Sequence, residues 1–132
     1  MTITLSFGTF DIIHPGHIYF LKKAKELGDR LVVVVARDST IKEVKKNSPK
    51  YNENQRLQHI KDLRIADEAM IGNEDDKYRV IEEIKPEIIA LGYDQEHFAK
   101  DLDKEMKKRG INAKVIRIDA YKKEQYKSSK LR

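Results

Sequence analysis

Two histidines near the start of the chain, His14 and His17, have the types and the spacing for chemistry on phosphate. They are three residues apart, so they lie on one face of a helical turn, and Gly16 between them lets a ligand approach closely. They stand where a strand-like run, residues 3–7, passes into a helical pattern. The free N–H groups and the positive dipole end of such a helix bind phosphate. We therefore predict a phosphate site whose imidazoles donate to oxygens that become more negative during reaction.

Strand-like and helix-like patterns alternate along the rest of the chain. Apolar residues at helical spacing predict helices that begin at Pro15, near Asn54, at Tyr78 and before Phe98. Three of these patterns end at Gly28, Pro86 and Gly110. Apolar runs predict strands at residues 3–7, 31–36, 69–71, 88–91 and 113–118.

Strands that alternate with helices predict βαβ units. We expect an α/β fold, a Rossmann-like single domain over residues 1–132, with a five-stranded, mainly parallel sheet and helices on both faces. Ligands of such sheets bind beyond the carboxyl ends of the strands, near the switch in strand order. Three turns should line that site, at residues 8–17, 92–95 and 121–129.

The composition excludes several classes of protein. The 132 residues contain no cysteine, which rules out disulfides, thiolate metal sites and thiol catalysis. The longest apolar run, residues 31–36, is far shorter than the ~20 residues that span a bilayer, so we expect no membrane association and a cytoplasmic location. The net charge of +5 suits an anionic small molecule. There is no long basic tail or aromatic-rich basic patch, so nucleic acid is not expected as a partner.

Several stretches of the chain resemble the nucleotidyltransferases that carry an H-x-G-H motif. The sequence G-T-F-D followed by H-P-G-H is similar to the cytidylyltransferase branch, and the likeness continues through residues 35–38, 53–56 and 128–129. Residues 91–95 (L-G-Y-D-Q) and 121–123 (Y-K-K) are similar to the archaeal FAD synthases, which adenylate FMN with ATP. The resemblance implies an enzyme that transfers AMP from ATP to FMN by direct in-line attack, giving FAD and pyrophosphate.

The resemblance also implies roles for basic residues and for a metal ion. His14 and His17 are the expected catalytic residues. Lys45 is expected to join them by holding the triphosphate, and Lys42 is the second candidate. Runs of lysine like this one, however, usually form a solvated surface. No cluster with metal-ligand spacing appears, so a divalent ion such as Mg²⁺ would bind mainly through the phosphates of ATP. ATP and FMN are the expected partners. Family members commonly form a homodimer, for which the sequence shows no periodic apolar stripe.

Residues of all three turns are predicted to contact the nucleotide, namely Thr9, Phe10, His14, Pro15, Gly16, His17, Asp94, Tyr121, Ser128 and Ser129. Phe10 also suits simple core packing. Asp94 can accept from a ribose hydroxyl or a base amine, or it can cap a helix. Tyr121 can stack on adenine. The hydroxyls of Ser128 and Ser129 either meet phosphate or cap a helix.

Two further polar residues have alternative interpretations. Asp11 could orient a histidine or the divalent ion, or it could form the turn. Arg56 matches a family arginine and could neutralise phosphate, or it could be an ordinary charge on a helix surface.

Other functions compete with FMN adenylylation. The main alternative is a cytidylyltransferase that uses CTP with glycerol 3-phosphate or a similar small phosphate. That branch usually has an R-T-x-G-I-S-T segment near the C-terminus, whereas residues 121–129 here lack its arginine and glycine. A non-catalytic nucleotide-binding module has no need of the two histidines. A fragment of an aminoacyl-tRNA synthetase would share the H-x-G-H element, but 132 residues are too few to include an anticodon-binding domain.

Overall fold

The computed structural model describes residues 1–39, 50–73, 76, 78–92 and 95–119. Within these residues the strands are β1 (Ile3–Gly8), β2 (Arg30–Val35), β3 (Glu68–Ile71), β4 (Ile88–Gly92) and β5 (Lys114–Ile118). The helices are α1 (Pro15–Glu26), α2 (Glu53–Leu63), α3 (Arg79–Ile84) and α4 (Glu96–Arg109).

Local sequence explains where several of these elements lie. β2 contains four consecutive valines, and β-branched side chains pack well on both faces of a buried strand. α1 begins at Pro15. Proline suits this first position because an N–H there would have no partner within the helix. α4 ends at Gly110, whose φ of 67° is the left-handed conformation that glycine adopts most readily. The helix end predicted at Gly110 is therefore confirmed.

The strands form one parallel sheet in the order β3-β2-β1-β4-β5. The chain builds outward from the central β1 through β2 to β3, then returns to the other side of β1 to form β4 and β5. The switch in strand order therefore falls between β1 and β4. We call the space at the carboxyl ends of these two strands the crevice, since such sheets bind their ligands there.

Helices cover both faces of the sheet, and each face has its own apolar cluster. The cluster beneath α3 and α4 consists of Leu5, Phe7, Val32, Val34, Tyr78, Val80, Ile81, Ile89, Leu91, Leu102 and Met106. The cluster beneath α1 and α2 consists of Phe10, Leu21, Ala24, Leu31, Val33, Val35, Ile60, Ala90 and Ile118. The predicted fold class is confirmed. In the described part of the chain, no helix is long and apolar enough to cross a membrane.

Candidate active site

The turn from β1 into α1 brings together Thr9, Phe10, His14, Pro15, Gly16 and His17. His14 is the N-cap of α1, with extended backbone (φ −137°, ψ 173°), and its Nδ1 accepts from the Gly16 N–H at 3.1 Å. In return, His17 Nδ1 accepts from the His14 N–H at 3.3 Å. This reciprocal pattern is the capping box, which Ser or Thr with Glu or Gln usually makes. Here two imidazoles make it.

The capping box determines which ring nitrogen of each histidine carries the proton. A backbone N–H donates to Nδ1 in both rings, so Nδ1 is the acceptor and Nε2 is left as the N–H donor of each imidazole. The rings stack with 3.9 Å between their centroids and an angle of 29°. The positive end of α1 therefore presents two neighbouring side chains whose Nε2–H groups can donate to phosphate oxygens.

Phe10 packs against His17 on the side of the apolar core. Its ring is 4% exposed, belongs to the apolar cluster under α1 and meets the His17 ring edge-on at 5.5 Å between centroids. Phe10 has a φ of 49°, in the left-handed region that residues other than glycine rarely adopt. The ring lies over Gly8, where an added Cβ would stand 2.5 Å from Phe10 Cε2. The core role considered for Phe10 is confirmed, and its contact with nucleotide stays a prediction.

Asp11 connects this turn to the chain that enters α2. Its two carboxylate oxygens accept from the backbone N–H groups of Lys50 and Tyr51, at 2.8 and 2.9 Å. These partners are 39 and 40 residues away along the chain, so no local pattern could have indicated them. Asp11 therefore holds two separate segments together beside the histidines.

Arg56 is not on the helix surface, so the surface-charge role considered for it is wrong, and neutralisation of phosphate stays a prediction. Its side chain is completely buried. It donates to the carbonyls of Tyr51 (3.1 Å), Thr9 (2.9 Å) and Ala36 (2.8 Å) and to Asp38 Oδ1 (2.6 Å). Arg56 thus joins the loops after β1 and β2 to the start of α2. A signal was available, because Arg56 is four residues before the buried Ile60 and so shares its helix face.

A second pair of contacts joins the loop after β2 to the start of α2. Glu53 Oε1 accepts from the Asp38 N–H at 2.9 Å, and Asp38 Oδ2 accepts from the Glu53 N–H at 3.3 Å. Arg37 also pairs with Glu53 at 3.2 Å. These contacts bracket residues 40–49, where the predicted Lys42 and Lys45 lie outside the described residues.

The other two predicted turns are described only in part. Asp94, Tyr121, Ser128 and Ser129 lie outside the described residues. Gln95, to which the sequence assigned no role, accepts from the Gly92 N–H at 2.7 Å and donates to the Phe7 carbonyl at 3.1 Å. Its side chain therefore spans the crevice between β4 and β1.

The sheet face opposite α1 packs tightly behind the crevice. The ring of Phe98 contacts Phe7, with centroids 5.1 Å apart, and stacks on Tyr78 at 5.7 Å. Burial raises the pKa of Tyr78 to about 12, so its phenol is neutral at ordinary pH. Arg109 pairs with Asp76 at 2.9 Å. This ion pair joins the loop before α3 to the end of α4.

Among the described residues, no group of three or more His, Asp or Glu side chains is close enough to hold a metal ion.

Comparison with known proteins matches residues 5–132 to the cytidylyltransferase-like family. A protein of Methanothermus fervidus named FAD synthase is 57% identical over 119 residues, which are 88% of this chain and 81% of that protein. The FAD synthase of Methanobrevibacter ruminantium is 53% identical over 118 residues, 87% of this chain and 78% of that protein. The crystal structure of a lipopolysaccharide core biosynthesis protein from Thermoplasma volcanium aligns with a TM-score of 0.85 and 45% identity, over 92% of this chain and 98% of that one.

Proposed function

This chain belongs to the cytidylyltransferase-like family, and we propose that it transfers the AMP moiety of ATP to FMN, giving FAD and pyrophosphate. The relatives named FAD synthase support FMN as the acceptor, since they are more than half identical to this chain over most of its length. The observation that carries the proposal is the pair of stacked imidazoles at the start of α1, each of which accepts a backbone N–H at Nδ1 and so leaves Nε2 for a ligand. The family match and the phosphate site proposed at the start of α1 support the same reaction.

The reaction is a direct displacement at phosphorus. An oxygen of the FMN phosphate attacks the α-phosphorus of ATP, and a new P–O bond forms. The bond from the α-phosphorus to the oxygen that bridges to the β-phosphate breaks, and its electron pair leaves with pyrophosphate. Such reactions depend on positioning and on stabilisation of negative charge, and no covalent intermediate with the protein is needed.

In this reaction His14 and His17 stabilise the charge that develops on the phosphates. Their Nε2–H groups donate to oxygens of the transferring and leaving phosphates, while the dipole of α1 adds positive potential. The capping box holds both rings before substrate arrives, so little reorganisation is needed during the reaction.

Contacts from other residues belong to the same proposal. Thr9, Phe10, Pro15 and Gly16 meet the nucleotide beside the histidines, and Lys45 holds phosphate. Asp94, Tyr121, Ser128 and Ser129 contact the nucleotide from the other two turns. A divalent ion such as Mg²⁺ would bind mainly through the phosphates of ATP and would neutralise their charge. The homodimer and the cytoplasmic location stay predictions.

The family name, cytidylyltransferase-like, raises one alternative, the transfer of a cytidylyl group. CTP with glycerol 3-phosphate would then replace ATP with FMN. The same histidines would serve both reactions, since both break the bond between α- and β-phosphates. The base and the acceptor are therefore what an experiment must distinguish.

A turnover screen tests the proposal. Purified protein is incubated with Mg²⁺ and each pairing of ATP or CTP with FMN or glycerol 3-phosphate, and the products are separated by chromatography. We expect FAD and pyrophosphate in equal amounts from ATP and FMN, with little product from the other pairings. Turnover of CTP with glycerol 3-phosphate and none of FMN would show that the alternative is correct.

A further inference from the structure

The ladder between β1 and β4 ends earlier than the ladders on either side of it. The β1–β4 pairing stops at Ser6–Ala90. By contrast, the β1–β2 pairing continues to Gly8–Val35, and the β4–β5 pairing continues to Gly92–Ile118. Both strands that flank the crevice thus extend to their full length, but no backbone ladder pairs them with each other at their carboxyl ends.

Backbone hydrogen bonds show which way the end of β1 faces. The Ile3 carbonyl accepts from the Glu87 N–H at 3.1 Å, on the β4 side, and the Gly8 carbonyl accepts from the Ala36 N–H at 2.9 Å, on the β2 side. Alternate residues of a strand direct their carbonyls to the same side, so the Phe7 carbonyl faces β4, as that of Ile3 does. In the observed register, the next ladder bond would run from the Gly92 N–H to that carbonyl.

The side-chain amide of Gln95 takes the place of this bond. Its Oε1 accepts from the Gly92 N–H at 2.7 Å, and its Nε2 donates to the Phe7 carbonyl at 3.1 Å. The amide is therefore inserted between two backbone groups that would otherwise bond directly to each other. Since one partner is a donor and the other an acceptor, they determine the orientation of the amide.

We propose that Gln95 is a positioning residue for the nucleotide, which keeps β1 and β4 apart at the crevice. This inference rests on the proposed function, in that a nucleoside triphosphate is the ligand. Gln95 acts through Phe7, because this residue leads directly into the turn that holds His14 and His17. Without the amide, the Gly92 N–H and the Phe7 carbonyl can bond directly. The loss of Gln95 should then narrow the crevice and leave the sheet intact.

The variant Gln95→Ala tests this inference, with ATP affinity and thermal stability as separate readouts. We expect the Kd for ATP to rise and kcat/KM to fall, the latter ~10- to 100-fold as for a misplaced substrate, while Tm stays close to that of the wild type. Gln58→Ala is the matched control, since Gln58 is an exposed amide on α2 that donates to Asp62 at 2.9 Å. An ATP Kd within twofold of wild type, or a loss of affinity that only accompanies unfolding, would overturn the proposal.

Gln95→Glu tests the donor half of the arrangement. The introduced carboxylate can still accept from Gly92, but its second oxygen would repel the Phe7 carbonyl. A protonated carboxyl regains a donor, so the ratio of the variant's ATP Kd to that of the wild type should fall as pH is lowered toward the ordinary glutamate pKa of ~4.3. A ratio that does not change with pH would contradict the donor role. Binding is measured with ATP and with CTP, so a wild type that binds only CTP would refute the proposed function while Gln95 is still tested with CTP.

Discussion

The Nη2 atom of Arg56 lies 2.6 Å from Oδ1 of Asp38, although the arginine side chain is completely buried and the aspartate side chain is 35% exposed. The guanidinium also donates to three carbonyls, so four of its five N–H groups have partners. A buried charge is tolerated when it is paired and hydrogen-bonded in this way. Arg56 therefore helps to hold the loops beside the histidines, together with Asp11.

Replacing Arg56 with Met should destabilise the protein strongly. The change keeps much of the side-chain volume, but it leaves three buried carbonyls and Asp38 without this partner, which should cost about 3–5 kcal/mol of unfolding free energy. Denaturant unfolding followed by circular dichroism measures this cost. Arg30→Met is the matched control, because Arg30 makes an ion pair with Glu68 in which both side chains are more than 40% exposed, and should cost less than ~1 kcal/mol. Equal unfolding midpoints for the two variants would contradict the role assigned to Arg56.

The capping and donor roles of the histidines can be separated. His14→Asn keeps an N-cap acceptor, and His17→Gln keeps the reciprocal bond of a capping box, so both variants should fold with a Tm near that of the wild type. Each loses an imidazole Nε2–H, and kcat for FAD formation should fall ~100- to 1,000-fold. Steady-state kinetics gives kcat, and His59→Gln on α2 is the control, which should retain turnover. If either variant at the motif turned over at the wild-type rate, its histidine would not act on the phosphates.

Gly8→Ala should displace Phe10. The added Cβ would stand 2.5 Å from the ring of Phe10, which is buried and cannot move freely. Overpacking of this kind costs about 1–3 kcal/mol of unfolding free energy. Because the ring also supports His17, kcat should fall as well. Gly72→Ala is the control, since its Cβ would meet Val34 at an ordinary 3.4 Å. A crystal structure of Gly8→Ala with Phe10 in its original place would refute the prediction.

Acid should weaken the link between Asp76 and Arg109. Partial burial alone would raise the pKa of Asp76, but the Tyr78 N–H and the Arg109 guanidinium outweigh it and hold the pKa below its ordinary value of 3.8. A carboxyl whose pKa is lowered by folding stabilises the folded state above the unfolded pKa, and this contribution is lost as pH falls through the folded pKa. The Tm of the wild type should therefore fall more steeply below about pH 4 than the Tm of Asp76→Asn. Parallel Tm profiles of the two proteins would show that Asp76 contributes nothing to the acid sensitivity.

Much of the fold could be predicted from local sequence patterns. Alternating apolar periods of strand and helix indicated the five strands, and Gly110 indicated the end of α4. These signals are local, because each depends on side chains within one or two turns of the same element. The H-x-G-H motif similarly indicated a phosphate site at a strand-to-helix turn, since its residues are neighbours in the chain. Roles for Lys45, Asp94 and Tyr121 came from resemblance and stay predictions.

The contacts that organise the candidate site required the folded arrangement of the chain. Arg56 reaches Thr9 across 47 residues, and Gln95 reaches Phe7 across 88, so no periodicity connects the partners. The spacing of α2 places Arg56 on the face of the buried Ile60, but the partners of its guanidinium depend on which loops the strand order places beside α2. Whether the Gln95 amide meets solvent or enters a ladder depends on where the pairing of β1 with β4 stops. Residue types and spacing thus predicted the chemistry at the histidines, while strand order and register, which are properties of the whole sheet, determine what holds that chemistry in place.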